Sequence, residues 1–403
     1  MSFSTPLPES DQSPRWSWLA ISSVLYTVTI FARSWNALDR FPSDPGYDYF
    51  MDAINKGPSV LFSRSEPYLH VLPRIIAEVV VWFPFEWHAI VTSILVNMLW
   101  VACGLCVAVV VFLETESRKF AMLAGLILII VPTAMESSLV NIGDVKWPVT
   151  VAVFVACCSQ RVLQRYPRRL VSGLFLLGLS NPLAIVAAVP LFLHIFTKVR
   201  LTRQGAIKSL LALFATLLIQ LSVIGFADAS KGRGGSRVLA LTGLGPFWLF
   251  GLLSPVCLAI FVITIGMSPG LRKSSQNYFW SLLSVTAIFL SIASYILGGI
   301  ADRYFVAPMT LSWLASALLL RQMAVAIPLA GRLLVVIALL IFAVPTAKWF
   351  RAGWYLTSGQ KWSDQIYDAR QVCKTSTALY FEISFSSLRT ERHECTYLNG
   401  HGR

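Results

Sequence analysis

Acidic side chains are scarce in this sequence, and their scarcity excludes whole classes of protein. Asp and Glu number 20 against 33 Lys and Arg, and only 13% of the 403 residues are charged, whereas 56% are hydrophobic. Soluble domains have about 25% charged residues. The composition therefore excludes an ordinary soluble protein. It predicts an all-α polytopic membrane protein, because runs of about 20 apolar residues recur from end to end.

Signature motifs of soluble enzymes are also missing. The sequence has no P-loop, no HExxH, no GxSxG and no dinucleotide-binding glycine motif, so soluble-type nucleotide hydrolysis and zinc chemistry have no support. The net charge of +13 does not indicate a nucleic-acid partner, because Lys and Arg stand in short blocks between apolar runs. Membrane topology explains them better, since basic residues accumulate in inner loops.

About eleven membrane helices are predicted, two of them short. They cover approximately 16–32, 88–113, 119–134, 147–160, 170–180, 183–197, 207–227, 241–266, 278–298, 303–320 and 332–349. No convincing cleavage site follows the first span, so it is interpreted as retained. The Lys and Arg bias then places residues 1–15 in the cytoplasm, 16–349 in a multi-pass domain of the cytoplasmic membrane, and the tail 350–403 outside.

The first outer loop, residues 34–87, contains a concentration of acids. Between Phe41 and Pro84 these are Asp44, Asp48, Asp52, Glu66 and Glu78, and Glu86 follows just after Pro84. In its second half, Glu66, His70, Arg74 and Glu78 recur every four residues, while apolar residues fill most of the other positions. That period predicts an amphipathic helix that lies on the membrane surface and does not cross it.

Asp44, Asp48 and Asp52 are candidate catalytic residues. Pro45-Gly46 places Asp44 in a turn before a helix that contains Asp48 and Asp52 on one face. A carboxylate near the membrane surface can act as a general base, or can bind a divalent cation together with phosphate oxygens. The alternative is that these acids are merely solvated, with Asp44 as an N-cap.

Polar residues of the outer side supply candidate substrate ligands. An Arg such as Arg74 binds phosphate through two parallel hydrogen bonds, and His70 can relay a proton; a salt bridge from Arg74 to Glu66 or Glu78 is the alternative. Lys146 and Arg303 are further candidates for phosphate, although anchoring at the membrane interface explains Arg303 and Trp147 equally well. The full candidate set is Glu66, Tyr68, His70, Arg74, Asn141, Asp144, Lys146, Trp147, Asn181, Arg303 and Tyr304.

Two further features concern architecture. Ser180-Asn181-Pro182 interrupts an apolar stretch, which predicts a hairpin of two half-length helices that turns at Asn181; a single kinked span is the alternative. Cys373 and Cys395 lie in the polar tail, and a disulfide between them is expected if the tail is outside the cytoplasm.

The layout resembles the GT-C superfamily of integral membrane glycosyltransferases. Local similarities are Asp48-Tyr49-Phe50, Tyr68-x-His70-x-x-Pro73-Arg74, Asn141 to Trp147-Pro148, Gly178 to Pro182, and Arg303-Tyr304. Members of that superfamily have many helices, an acidic first outer loop with interfacial helices, and short irregular helices near the middle, and they use polyprenyl-phosphate-linked sugars. The resemblance covers residues 16–349 as an architecture.

The resemblance implies a base at Asp48, or at Asp44, while Arg74, Lys146 or Arg303 stabilises the departing lipid phosphate. Asp44 and Asp48 are not the tandem acidic pair of many members, so no metal ligand is assigned and a requirement for Mg²⁺ or Mn²⁺ stays open. The expected function is transfer of a sugar from a polyprenyl phosphate to an envelope glycan, lipid or protein on the outer face. The alternatives are a transporter or flippase of lipid-linked glycans that uses the Asn181 break, and a non-catalytic envelope assembly protein.

Overall fold

The protein is mostly helical in the part of the chain that the computed structural model describes. These residues are 17–41, 46–62, 68–131, 139–224, 275–298, 305–326, 360–375, 380–385 and 389–395, together with residues 347, 350, 357 and 398. Within them the helices are α1 (Ser17–Ser34), α2 (Gly46–Lys56), α3 (Val71–Val80), α4 (His88–Thr115), α5 (Arg118–Ile130), α6 (Lys146–Cys158), α7 (Gln160–Arg165), α8 (Pro167–Gly178), α9 (Ala188–Ile195), α10 (Arg200–Ile224), α11 (Ser275–Gly298), α12 (Val306–Ala326) and α13 (Trp362–Thr375).

Two stretches in the described residues are long and apolar enough to cross a membrane, namely Phe85–Thr115 and Arg200–Val223. Shorter apolar helices cover Pro182–Ile195, Tyr278–Ser294 and Val306–Arg321. The core is built around α4, which packs against α1, α5 and α6, while α11 packs against α12. The predicted spans 241–266 and 332–349 lie outside the described residues, except for residue 347.

The helical path is broken at Asn181. The break is local, because the Asn181 side chain accepts a hydrogen bond from the Leu183 amide and a 3₁₀ helix, Pro182–Ala187, leads into α9. α8 and α10 run in the same direction, since Gln164 just before α8 bonds Thr202 and the carbonyl of Gly178 accepts from Gln220.

The chain returns along α6 after the break. Asn181 bonds Thr150 in the first half of α6, and His194 bonds the carbonyl of Cys157 at its end. Residue 194 therefore lies level with the start of α8, and the chain reverses direction at Asn181, as a hairpin requires.

The α3 helix lies in the segment where an amphipathic helix was expected, but its polar side faces inward. His70 is 1% exposed and Arg74 is 0% exposed, whereas Ile75 is 39% exposed. A helix that lies on a membrane surface with its polar side in water would have the opposite arrangement. The reason is packing: α3 contacts α2 and α4, and its polar side chains meet groups on those neighbours and on the segments beside them.

The tail contains structure that an all-α class omits. Strands β1 (Tyr380–Phe385) and β2 (Arg389–Glu394) pair antiparallel, and a disulfide joins Cys373 in α13 to Cys395 just after β2, with the Cα atoms 5.7 Å apart. α13 docks onto the first loop through Trp362, whose indole donates to the carbonyl of Phe85 over 2.9 Å. The tail thus lies at the end of the molecule where α4 begins.

Candidate functional site

Four segments meet at the end of the helices where α3 and α6 begin. The amide of Leu69 donates to the side-chain oxygen of Gln220 over 2.9 Å, and the amide of Leu72 donates to the hydroxyl of Ser180 over 3.0 Å. The amide of Val71 donates to the carbonyl of Leu179. The start of α3 is therefore held by the 178–181 break and by α10, and its first side chains occupy a fixed place beside α6.

The guanidinium of Arg74 is completely buried and faces α2. Its Nη2 lies 3.2 Å from one carboxylate oxygen of Asp52, whose other oxygen lies 2.8 Å from the exposed Lys56. The guanidinium carbon also lies 5.5 Å from the centre of the Tyr49 ring. Among the described residues, Nε and Nη1 of Arg74 have no hydrogen-bond partner. Two of its three nitrogens therefore still have N–H groups to donate to the acceptor atoms of a ligand.

A row of rings connects Arg74 to a second cation. Tyr49 and His70 have ring centres 5.6 Å apart, and His70 stacks on Tyr68 at 4.2 Å. The Tyr68 hydroxyl then accepts a hydrogen bond of 2.9 Å from Lys146 at the start of α6. Lys146 is only 7% exposed and also lies over the Trp147 ring. Cations over aromatic faces in a buried setting are favourable contacts.

The turn before α6 fixes Trp147 and Asp144. Asn141 caps the 3₁₀ turn Ile142–Asp144 by accepting from the amide of Gly143. Its side-chain nitrogen and the Trp147 indole donate to the two carboxylate oxygens of Asp144, over 3.2 Å and 3.0 Å. Asp144 is 3% exposed, so this carboxylate is a buried support for the site and has used both oxygens within the chain.

Most of the residues selected from the sequence lie together. Tyr68, His70, Arg74, Asn141, Asp144, Lys146, Trp147 and Asn181 all lie at this end of the helices. Asp48 is partly buried one helical turn before Asp52 on α2. Asp44, Glu66, Arg303 and Tyr304 lie outside the described residues.

Three contributors to the cluster were absent from the sequence-derived set, namely Tyr49, Ser180 and Gln220, which join it through the contacts above. Asp52 was a candidate base in the sequence, but it pairs with Arg74, a partner that the four-residue spacing of α3 did not predict. Gln220 had a sequence signal, because an amide within the apolar run of α10 needs internal partners if that run lies in a membrane. Tyr49 had none beyond its position beside Asp48.

A metal site is not formed by the residues that the structure describes, since no group of three or more His, Cys, Asp and Glu side chains is placed to hold an ion. The polar groups that meet here are two buried cations, carboxylates already paired with donors, and aromatic rings. Their chemistry fits an anionic ligand better than a cation.

Comparison with known proteins finds similarity at the level of structure. No protein-family model matches the sequence, and no curated protein matches it. Among solved structures, the chain is similar to the crystal structure of the Archaeoglobus fulgidus oligosaccharyltransferase in complex with Zn and sulfate, with 14% sequence identity and a TM-score of 0.48. The match covers 90% of this chain and 56% of that one, so this chain spans little more than half the length of that protein.

Proposed function

We propose that the protein is an integral membrane glycosyltransferase of GT-C type that acts on the outer face of the cytoplasmic membrane. Its donor is a polyprenyl-phosphate-linked sugar, and its acceptor is an envelope glycan, lipid or protein. The observation that supports this best is Arg74. Its guanidinium is fully buried, and two of its nitrogens have no hydrogen-bond partner among the described residues. Burying such donors without an acceptor costs about 1–3 kcal/mol, and a phosphate group would satisfy them.

The proposed topology follows the charge bias. It comprises about eleven membrane helices over residues 16–349, with residues 1–15 inside and the loop 34–87 and tail 350–403 outside. This arrangement puts the Arg74 cluster at the outer end of the helices, at the depth of the lipid phosphates. The apolar composition supports a lipid-linked donor over a free sugar nucleotide.

In the proposed reaction Asp48 is the general base. It takes the proton of the acceptor hydroxyl, whose oxygen attacks the anomeric carbon of the sugar. The bond from that carbon to the phosphate oxygen breaks, and its electron pair leaves with the polyprenyl phosphate. Arg74 and Lys146 stabilise the charge on the leaving phosphate, and the low local dielectric strengthens this interaction. The product has the inverted configuration.

The other selected residues have supporting roles in this proposal. Asp52 and Tyr49 orient Arg74, while Asp144 and Asn141 fix the turn that presents Lys146 and Trp147. Tyr68 and His70 contact the sugar or its phosphate. Glu66, Arg303 and Tyr304 are proposed from sequence as further contacts with the donor, and Asp44 is the alternative base. Whether the transfer reaction depends on Mg²⁺ or Mn²⁺ is tested by adding a chelator to the assay.

Transfer from a panel of polyprenyl-phosphate sugars, measured with purified protein in lipid nanodiscs, tests the proposal. Asp48→Asn is expected to lower kcat by about 10²–10⁴-fold, the usual contribution of a positioned base. Arg74→Gln is expected to weaken donor binding. Asp364→Asn and Arg168→Gln, which change exposed residues in α13 and α8, are the matched controls and retain wild-type rates.

Wild-type rates in both Asp48→Asn and Asp44→Asn, with normal expression, would remove the assignment of the base. Binding of the lipid-linked donor without transfer to any acceptor would favour the non-catalytic assembly protein. Against the transporter alternative, both polar atoms of the Asn181 side chain already bond Leu183 and Thr150 within the chain.

A further inference from the structure

The start of α3 is attached to the rest of the protein by side chains that have no part in the proposed chemistry. Gln220 of α10 uses both ends of its amide: its oxygen accepts from the amide of Leu69, and its nitrogen donates to the carbonyl of Gly178, each over 2.9 Å. Gln220 is 2% exposed. Reversing the Gln220 amide would place its nitrogen against the amide of Leu69 and its oxygen against the carbonyl of Gly178. Neither pair can form a hydrogen bond, so the orientation of the amide is determined.

Ser180 makes a second attachment from the break. Its hydroxyl accepts from the amide of Leu72 over 3.0 Å and donates to the carbonyl of Leu176 over 2.9 Å. Ser180 is 0% exposed. Leu69 and Leu72 flank His70 and follow Tyr68, so both attachments act on the backbone that places the two rings.

The same backbone also places Arg74. The amide of Arg74 donates to the carbonyl of His70, which closes the first turn of α3. A shift or rotation of residues 69–72 therefore moves Tyr68, His70 and Arg74 together, relative to Lys146 on α6 and Asp52 on α2. Misplacement by about 1 Å is enough to reduce function strongly in sites that depend on orientation.

We propose that Gln220 and Ser180 are positioning residues that fix residues 69–72, and thereby set where the phosphate of the lipid-linked donor binds. The inference rests on the proposed function. In it, the Asn181 hairpin and α10 fix the position of the first outer loop. Neither residue touches the donor. Both act through the backbone of α3.

The test combines ligand affinity with a direct measure of the backbone. Gln220→Leu removes both amide bonds, Ser180→Ala removes the acceptor of Leu72, and Ser180→Thr keeps the hydroxyl. Gln164→Leu is the matched control, because it removes a similar bond between Gln164 and Thr202 at the opposite end of α10. The measurements are the Kd of polyprenyl phosphate in nanodiscs and hydrogen–deuterium exchange of residues 69–72.

Gln220→Leu and Ser180→Ala are each expected to raise the Kd by about five- to tenfold, the effect of losing one hydrogen bond to the backbone of residues 69–72, and to speed exchange at those residues. Ser180→Thr and Gln164→Leu are expected to keep the wild-type Kd. If Gln220→Leu does not accumulate in cells, the comparison of Ser180→Ala with Ser180→Thr tests the positioning role.

Faster exchange with an unchanged Kd would overturn the positioning role, because the bonds would then be structural only. A wild-type protein that binds no polyprenyl phosphate would overturn it as well. Binding that responds to Gln220→Leu, in a protein that transfers no sugar, would support the positioning role and count against the proposed transferase activity alone.

Discussion

At the scale of single residues, the burial of Arg74 has to be explained before any role is given to it. An isolated buried charge is costly, and a pair is retained where both partners are well placed. Asp52 supplies the opposite charge at 3.2 Å and Tyr49 supplies a ring face, while Lys56 binds the second oxygen of Asp52. The arrangement pairs Nη2 of Arg74 with a carboxylate, while Nε and Nη1 have no hydrogen-bond partner among the described residues.

Gly178 shows how closely the hairpin approaches α10. A Cβ atom built on Gly178 would lie 2.7 Å from Cβ of Thr216 and closer still to its hydroxyl. Thr216 is 0% exposed and the close approach involves its Cβ atom, so its side chain cannot move aside. We expect Gly178→Ala to lower the free energy of unfolding in detergent by about 1–3 kcal/mol, the usual cost of overpacking.

The same substitution elsewhere in α8 serves as the control. A Cβ on Gly173 meets its nearest neighbour, Val153, at 3.4 Å, an ordinary contact. Because alanine favours a helix over glycine by about 1 kcal/mol, Gly173→Ala is expected to be neutral or stabilising. Equal destabilisation by the two variants would contradict the close approach at Gly178.

At the scale of elements, α3 shows what a periodic pattern predicts and what it omits. The four-residue spacing of His70, Arg74 and Glu78 predicts a helix, and α3 is that helix. The period separates two faces but does not say which one meets the protein. In a membrane setting the apolar face can meet lipid while polar groups face inward, and the inward partner, Asp52, lies 22 residues earlier in the chain.

The β-hairpin of the tail was missed although its pattern is present. Phe381, Ile383 and Phe385 alternate with polar residues in β1, a period of two that is typical of a half-buried strand. The strand is only six residues long, and an isolated pair of such short strands is marginally stable. The disulfide beside the hairpin stabilises it.

His393 makes the stability of this hairpin depend on pH. It pairs with Phe381 across the strands, and burial lowers its pKa below the ordinary value. The folded tail therefore binds fewer protons than the unfolded tail as the pH falls through about 6.5. Stability is complete above that pH and decreases below it, until the folded-state pKa is passed.

Hydrogen-exchange protection factors of the two strands, corrected for the intrinsic effect of pH, check this dependence. We expect protection to decrease between pH 7.5 and pH 5.5 in the wild-type protein. His393→Phe keeps the ring contact with Phe381 and has no titrating group, so its protection should change much less. Parallel pH profiles for the two proteins would show that another group is responsible.

At the scale of the whole molecule, composition was enough to predict a mostly helical chain, and the apolar runs located helices such as α4 and α10. Spacing alone could not bring Tyr49, Tyr68 and Lys146 together, because they come from three elements separated by up to about a hundred residues. Such contacts depend on how the helices pack, and helix packing cannot be read from the sequence of one chain.

The two ends of the molecule provide the last prediction. α4 has 28 residues and is about 42 Å long; its start lies beside the tail, and its end lies beside Arg161, which pairs with Glu116. Arg168, at the start of α8, is exposed near the end of α4, whereas Glu382 is exposed in the tail. The charge bias places the Arg168 end in the cytoplasm and the tail outside.

Single cysteines at these two positions test the topology in cells, in a background without the five cysteines outside the Cys373–Cys395 pair. A membrane-impermeant maleimide is expected to label Glu382→Cys in intact cells, but Arg168→Cys only after permeabilisation. The reverse pattern would move the Arg74 cluster to the cytoplasmic side, where a donor on the outer face could not reach it. Labelling of both positions in intact cells would mean that α4 does not separate two compartments, because its ends would then share one.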